Sequence, residues 1–163
     1  MTSHDITSVN GDHGAVGMGE TQQRLHWLLK QFADTIPGVT QAVLLSRDGL
    51  KLLDSGIHPD WADEIAAAFS GIASLAQNVK GPSNKKLPAQ QIIIEREDAF
   101  FFIQYAGTSD AFKNHPGNTN GMTDTVLGVI ARPDAQISTV GYEMGRLVGQ
   151  FEPYMAIPVR QDV

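Results

Sequence analysis

The stretch QIIIEREDAFFFIQY, residues 91–105, decides how the rest of this chain must be arranged. Two apolar runs, Ile92-Ile93-Ile94 and Phe100-Phe101-Phe102-Ile103, flank the charged link Glu95-Arg96-Glu97-Asp98. Short Ile- and Phe-rich runs bounded by turn-competent polar residues read as two strands of a hairpin. Side chains alternate along a strand, so Phe100 and Phe102 face one way and Phe101 and Ile103 the other. A strand apolar on both faces must be covered on both. Helices are therefore expected on each side of this sheet.

The flanking sequence supplies them. Downstream, TVLGVIA (residues 125–131) is a second strand apolar on both faces, and a helix at residues 135–151 carries the stripe Ile137, Val140, Met144, Leu147, Val148 and Phe151. Gly141, Gly145 and Gly149 recur on one flank of it; each costs about 1 kcal/mol against Ala in a helix interior, and close approach of a neighbouring backbone is the expected offset. Upstream, residues 39–46 read as a strand, Arg47-Asp48-Gly49 as its turn and residues 50–54 as the return strand, because Gly takes the positive φ such a turn demands. The first helix, residues 20–35, shows Leu25, Leu28, Leu29, Phe32 and Ile36 on one stripe, with Trp27 opposite as a partner-contact candidate. The second helix opens at His58-Pro59-Asp60 with Asp60 as its expected cap, and buries the stripe Trp61, Ile65, Phe69, Ile72, Leu75 and Val79. Ala67, Ser70, Gly71 and Ser74 lie opposite, with no charge between Glu64 and Lys80. So small a helix back is expected to meet another helix closely.

Composition narrows the function classes. At 163 residues, 42% hydrophobic and 18% charged, the chain is expected to fold as one domain with a sizeable core. A net charge of −6 speaks against a nucleic-acid partner. With no cysteine, disulfides, thiol nucleophiles and Cys-based metal centres are excluded. The 5 histidines show no ligand spacing, so no metal is expected. Residues 1–19 lack a basic start and an apolar core and read as a flexible tail, and residues 152–163 as a short C-terminal tail. No apolar run approaches the roughly 20 residues of a membrane helix, so the expected location is cytoplasmic, without membrane insertion. The glycines of GAVGMG match neither nucleotide fingerprint, and no GxxxxGK[ST] loop is present. Residues 81–88 read as a basic, mobile loop, and residues 107–122 as a long polar loop.

The ordered set VTQAVLLSRDGLKLLDSG, DEIAAAFSGIASLA, QIIIEREDAFFFIQYAG and LGVIA, closed by an amphipathic helix, resembles the Roadblock family, dynein-light-chain relatives found also in bacteria. The resemblance covers about residues 20–151 and is most specific at SRDGL (Ser46 to Leu50) and at SLA (Ser74 to Ala76). It implies an α/β (α+β) helix–sheet–helix sandwich, profilin-like, with a five-stranded antiparallel sheet in the order 2-1-5-4-3. It also implies a homodimer in which the third strands pair through Ile92, Ile93 and Ile94 and the second helices pack side by side through Ala67, Ser70, Gly71 and Ser74. Bacterial relatives regulate Ras-like small GTPases, and actinobacterial ones are encoded beside a GTPase and a sensor-kinase-like protein. The resemblance thus implies a non-catalytic scaffold or regulator that needs no cofactor. The 107–122 loop is longer than the turn usual in that family.

Two other functions stay open at this level. A small-molecule sensor would hold a ligand against the sheet, lined by the strand-four Phe residues. A hydrolase would combine Ser46 or Ser55 with His58 and Asp54, although no GxSxG elbow is present. Of the arginines, Arg47, Arg96, Arg132 and Arg146 are available as fingers toward a GTPase, and none is singled out.

Overall fold

The computed structural model describes residues 19–116, 118 and 120–156, in which three helices enclose one five-stranded sheet. The elements in chain order are α1 (Glu20–Thr35), β1 (Val39–Ser46), β2 (Lys51–Asp54), α2 (Pro59–Gln77), β3 (Ile92–Glu95), β4 (Phe100–Ser109), β5 (Thr123–Ala131) and α3 (Ile137–Phe151). All strand pairs are antiparallel and the sheet order is β2-β1-β5-β4-β3, as the resemblance implied. The residues expected to form an N-terminal tail lie outside the described ones except for Gly19. At the other end, Glu152–Tyr154 make one 3-10 turn and Met155 is buried against the core.

Local chemistry places the boundaries. The β1–β2 turn closes through Ser46, whose N–H donates to Leu50 O at 2.9 Å, and Gly49 holds φ +95°, the conformation its identity predicted. The cap of α2 is His58, not Asp60: His58 Nδ1 accepts from Asp60 N at 3.2 Å, and Pro59 opens the first turn, where its missing N–H costs nothing. Pairing of β4 with β5 runs further than expected, through Gly107↔Thr125, Thr108↔Asp124 and Ser109↔Thr123. An irregularity after Tyr105, with Gly107 at φ +99°, lets the polar ends of both strands stay in register. The loop therefore spans only residues 110–122. Its described residues fold onto the domain, with Phe112 in the core and the Asn118 side chain accepting from Gly121 N at 2.8 Å.

The sheet separates two apolar layers. α1 and α3 cover one face, where Leu25, Leu29, Phe32, Val140, Met144, Leu147 and Phe151 meet Phe100, Phe102, Leu127 and Val129. α2 covers the other, where Ile65, Ala66 and Phe69 meet Val43, Leu45, Ile103, Val126 and Ile130. The alternation along β4 is the expected one. Phe69 lies against the sheet because Gly128 leaves room: a Cβ there would collide with the edge of the Phe69 ring, 2.7 Å from Cε2 and closer still to Cδ2.

Asp54 fastens the end of β2 to the start of α2. Its Oδ1 accepts from Gly56 N at 2.7 Å and Ile57 N at 2.8 Å, and its Oδ2 pairs with Lys51 Nζ at 3.0 Å. Burial alone would raise its pKa, but these donors outweigh burial and hold the carboxyl below 3.8, its usual value.

Gly128→Ala should lower the unfolding free energy by about 1–3 kcal/mol, since the surrounding layer has no slack for a methyl group. In urea titrations the loss should be smaller on a Phe69→Leu background; equal losses on both backgrounds would remove the Phe69 contact as the cause. Asp54→Asn should cost about 1 kcal/mol at pH 7. A depressed folded-state pKa contributes stability above the unfolded value and loses it as pH falls through the folded value. The gap between wild type and Asp54→Asn should therefore narrow below about pH 4, measured by thermal unfolding across pH.

Candidate functional site

The two faces of the sheet are covered unequally. Five strands about 4.8 Å apart make a surface roughly 24 Å wide, and one helix is about 10 Å across. Two helices suffice on the α1–α3 face. On the other face α2 is alone among the described residues, and it leans toward the β1–β2 side. Room for a second helix is left over β4 and β3, where Phe101, Ile92 and Ile94 are only partly buried. The register sets Ile92 opposite Ile103 and Ile94 opposite Phe101, so both belong to this half-covered face. Ile93 points to the other face and is 44% exposed. β3 is a sheet edge, paired only to β4.

α2 itself is rotated from the expected orientation. Of its stripe, Ile65 and Phe69 are buried, whereas Trp61, Leu75 and Val79 are 42%, 72% and 69% exposed. The helix buries Ala62, Ala66 and Ser70 beside Ile65 and Phe69. Ser70 was expected on the outward small face and is not there: its Oγ donates to Arg47 O at 2.5 Å, and it leans with Ala67 toward Gly49 in the β1–β2 turn. Ala67, Gly71 and Ser74 lie toward the outside of the helix, all three exposed. The outward surface of α2 is thus small on one flank and strongly apolar on the other. Leu75, Trp61 and Val79 escaped the sequence reading because an apolar position was equated with a core position. The available signal was that α2 is apolar on more than one side, which requires more than one partner.

The remaining surface candidates are separate from this face. Trp27 is 51% exposed, with the Arg24 guanidinium 5.5 Å above its ring and Arg24 Nε donating to Tyr154 Oη. Of the α3 glycines, Gly141 abuts the Gln91 side chain, whose Nε2 donates to Gly141 O at 3.1 Å. Among the described residues a Cβ on Gly145 or Gly149 would meet nothing within 4 Å, so their close packing accounts for only one of the three.

At the far end of the sheet the β1–β2 turn meets the 110–122 loop in a polar cluster. Ser46 Oγ donates to Asp48 Oδ1, which His115 Nε2 also approaches at 3.3 Å. The Ser46 hydroxyl holds the Asp48 carboxyl below its usual range, with help from His115 and against partial burial. These are the residue types of a hydrolase, but the carboxylate stands between hydroxyl and imidazole, so the imidazole cannot take the serine proton. Ser55 Oγ instead accepts from Ala42 N at 2.9 Å, His58 caps α2 and Asp54 holds the β2–α2 connection. The grouping expected for hydrolysis is not assembled. Beside the cluster, Arg47 donates through Nη2 to Gln77 Oε1 at 2.6 Å and lies 3.8 Å from Asp124. Asp124 accepts from Thr108 Oγ1 at 2.6 Å and from Tyr105 Oη at 3.4 Å, and burial raises the Tyr105 phenol.

A cleft of about 190 Å³ opens between the C-terminal half of α2, the β3–β4 surface and residues 88–89. Its lining mixes the polar Arg47, Gln77, Gln104 and Tyr105 with the apolar Ala73, Ile92, Ile103 and Val126. The Phe residues expected to line a ligand site do not. Phe100 and Phe102 are core on the opposite face, and Phe101 packs on Phe69 beneath Arg96. Among the described residues no group of three or more His, Cys, Asp or Glu is placed to hold a metal ion, and no helix is long and apolar enough to cross a membrane.

Comparison with known proteins fits this geometry. Residues 25–109 match the family model described as the Roadblock/LC7 domain. The crystal structure of a Roadblock/LC7 domain from Streptomyces avermitilis is 32% identical, covering 79% of this chain and 95% of that one with a TM-score of 0.64. The gliding protein MglB from Thermus thermophilus is 16% identical over 83% of this chain and 91% of its own, with a TM-score of 0.64, and shares the fold. A structure described as MglB with tetrameric arrangement is 15% identical over 83% and 90%, also with a TM-score of 0.64. No curated protein matches the sequence. The chain belongs to the Roadblock/LC7 family.

Proposed function

We propose that this Roadblock/LC7 protein is a homodimeric, non-catalytic regulator or scaffold for a Ras-like small GTPase in a cytoplasmic bacterial signalling system. The observation that carries the reading is the half-covered sheet face: one helix over a surface wide enough for two, bordered by the edge strand β3 and the exposed Leu75 and Val79. In the proposed dimer β3 pairs with its copy, making one continuous sheet through Ile92, Ile93 and Ile94. Each α2 then lies beside its mate, through Leu75, Ala67, Gly71 and Ser74, over the surface that one chain leaves open. This closes an edge that would otherwise template aggregation, and it removes large apolar side chains from water at roughly 25 cal/mol per Å². Ser70 has no part in it, being bound to its own turn.

The GTPase partner, with the sensor-kinase-like protein beside it, comes from the resemblance to bacterial Roadblock proteins. Two further observations agree with regulation over catalysis. The serines, histidines and carboxylates expected for hydrolysis are engaged in caps and turns. No arginine stands out as a finger, since Arg47, Arg96, Arg132 and Arg146 each pair with a carboxylate of this chain. A regulator of this kind acts by binding one nucleotide state of the GTPase better than the other.

Ile93 and Leu75 are already exposed, so Ile93→Lys and Leu75→Lys should leave the fold of one chain intact. Light scattering should show a dimer for the wild type and a monomer for the double variant; a monomeric wild type would refute the dimer. For the partner, pull-down with the neighbouring small GTPase, loaded with GDP or a GTP analogue, should show a preference for one state. Capture of neither would sink the regulatory reading. Hydrolysis with and without the protein then separates activator from scaffold.

A further inference from the structure

We propose that opposite charges at the two ends of β3 select its partner strand: the basic turn at residues 80–86 of one chain attracts the acidic β3–β4 turn, residues 95–98, of a second copy. The charge pattern presupposes the homodimer proposed above and sets its register and its preference for self.

The strand is flanked by unlike charge. Before it, Lys80, Lys85 and Lys86 are exposed, and no acidic residue lies between Asn78 and Gln91. An ordered turn holds these lysines, closed by the Lys80↔Lys86 bridge, by Gly81 N donating to Lys85 O at 3.0 Å and by Asn84 N donating to Gly81 O at 2.9 Å. Gln91 is anchored at the start of the strand, its Nε2 donating to Gln104 Oε1 and to Gly141 O. After the strand come Glu95, Arg96, Glu97 and Asp98, all exposed. Arg96 and Asp98 neutralise each other, with Arg96 Nε and Nη2 donating to the carboxylate at 2.9 and 2.7 Å. Glu95 and Glu97 are left. Among the described residues neither they nor the lysines of the 80–86 turn enter an ion pair.

Symmetry decides which ends meet. Two copies that share one sheet, with both α2 helices on the same face, are related by a twofold axis perpendicular to that sheet. Their β3 strands therefore run antiparallel. Directly opposed residues of an antiparallel pair share a face, and pairing centred on Ile93 sets Ile92 opposite the partner's Ile94 and Gln91 opposite the partner's Glu95. The basic end of each strand then lies beside the acidic end of the other, at both ends of the seam. A parallel arrangement would bring like charges together. The apolar pattern is less selective, because a slip of two residues returns each isoleucine to its own face. Charge discriminates there, since drawing the strands apart withdraws Lys85 and Lys86 from Glu95 and Glu97. Exposed ion pairs are individually weak, so the effect falls on partner choice more than on affinity.

A charge swap in the full-length chain tests this. Lys85→Glu, Lys86→Glu makes both ends of β3 acidic, and Glu95→Lys, Glu97→Lys makes both basic; all these positions are exposed, so each chain should keep its fold. Equal amounts of the two variants, carrying donor and acceptor dyes at their N-termini, are mixed and equilibrated, and energy transfer reports the mixed dimer. At an ionic strength of about 0.01 M, where the screening length is about 30 Å, mixed dimers should outnumber each homodimer at least about tenfold, against about twofold for random pairing. At about 1 M, where that length is about 3 Å, the excess should fall toward the random value. A control set puts the same charge changes on the α1 side of the domain, Lys30→Glu, Lys113→Glu mixed with Glu20→Lys, Asp34→Lys, and should pair at random in both salts. An equal preference in the control set, or one that persists at high salt, would overturn the proposal. A monomeric wild type would remove it together with the dimer, whereas a dimeric wild type whose β3 variants pair at random would overturn the charge selection alone.

Discussion

A sheet that is apolar on both faces, covered by two helices on one side and one on the other, is the constraint on which this molecule turns. The central strands β5 and β4 bury side chains in both directions, so neither face can be left to water. α1 and α3 satisfy one face, and the largest fully buried side chains, Phe102 and Phe151, sit there. The opposite face has Phe69 at its centre, seated over Gly128, and thins out toward β3. What one chain leaves open there is too apolar to be a solvated surface and too wide for the side chains around it to close.

The same asymmetry explains α2. It lies against β1 and β2, held by Asp54 and His58 at its start and by Ser70 on the β1–β2 turn. Those three polar attachments fix its rotation. Ile65 and Phe69 are then aimed at the sheet, while Leu75 is turned away from it. A helix with hydrophobic residues on more than one side is usually buried all round, and here only one side finds its partner among the described residues.

The end of the sheet near the β1–β2 turn follows different physics. Ser46, Arg47 and Asp48 make a dense set of charge-assisted contacts with Gln77, His115 and Asp124, which join the turn to α2, to the 110–122 loop and to β5. Such contacts position backbone more than they add stability, because the exposed pairs among them are screened by solvent. The outcome is a well-tied corner with a guanidinium at its edge, where Arg47 borders the cleft between α2 and β3.

Much of this was legible in the amino-acid order alone. The alternation of Phe100 to Ile103 determined a strand covered on both faces, Gly49 determined the turn, and the stripes of α1 and α3 determined which of their sides is buried. These are local properties: period and backbone conformation are set by neighbours in sequence. The extension of β4 and β5 past Gly107 was missed because polar threonines are strand residues only when a partner strand is present to pair with them. The tertiary structure alone decided that Ser70 faces inward and Leu75 outward, that His58 caps α2, and that Arg47 borders a cleft. Periodicity gives the angle between side chains around a helix, but the rotation of that helix against its sheet is fixed by contacts with residues distant in the chain. For the same reason the sequence could show that α2 needs two partners, while only the packed sheet could show which side already has one.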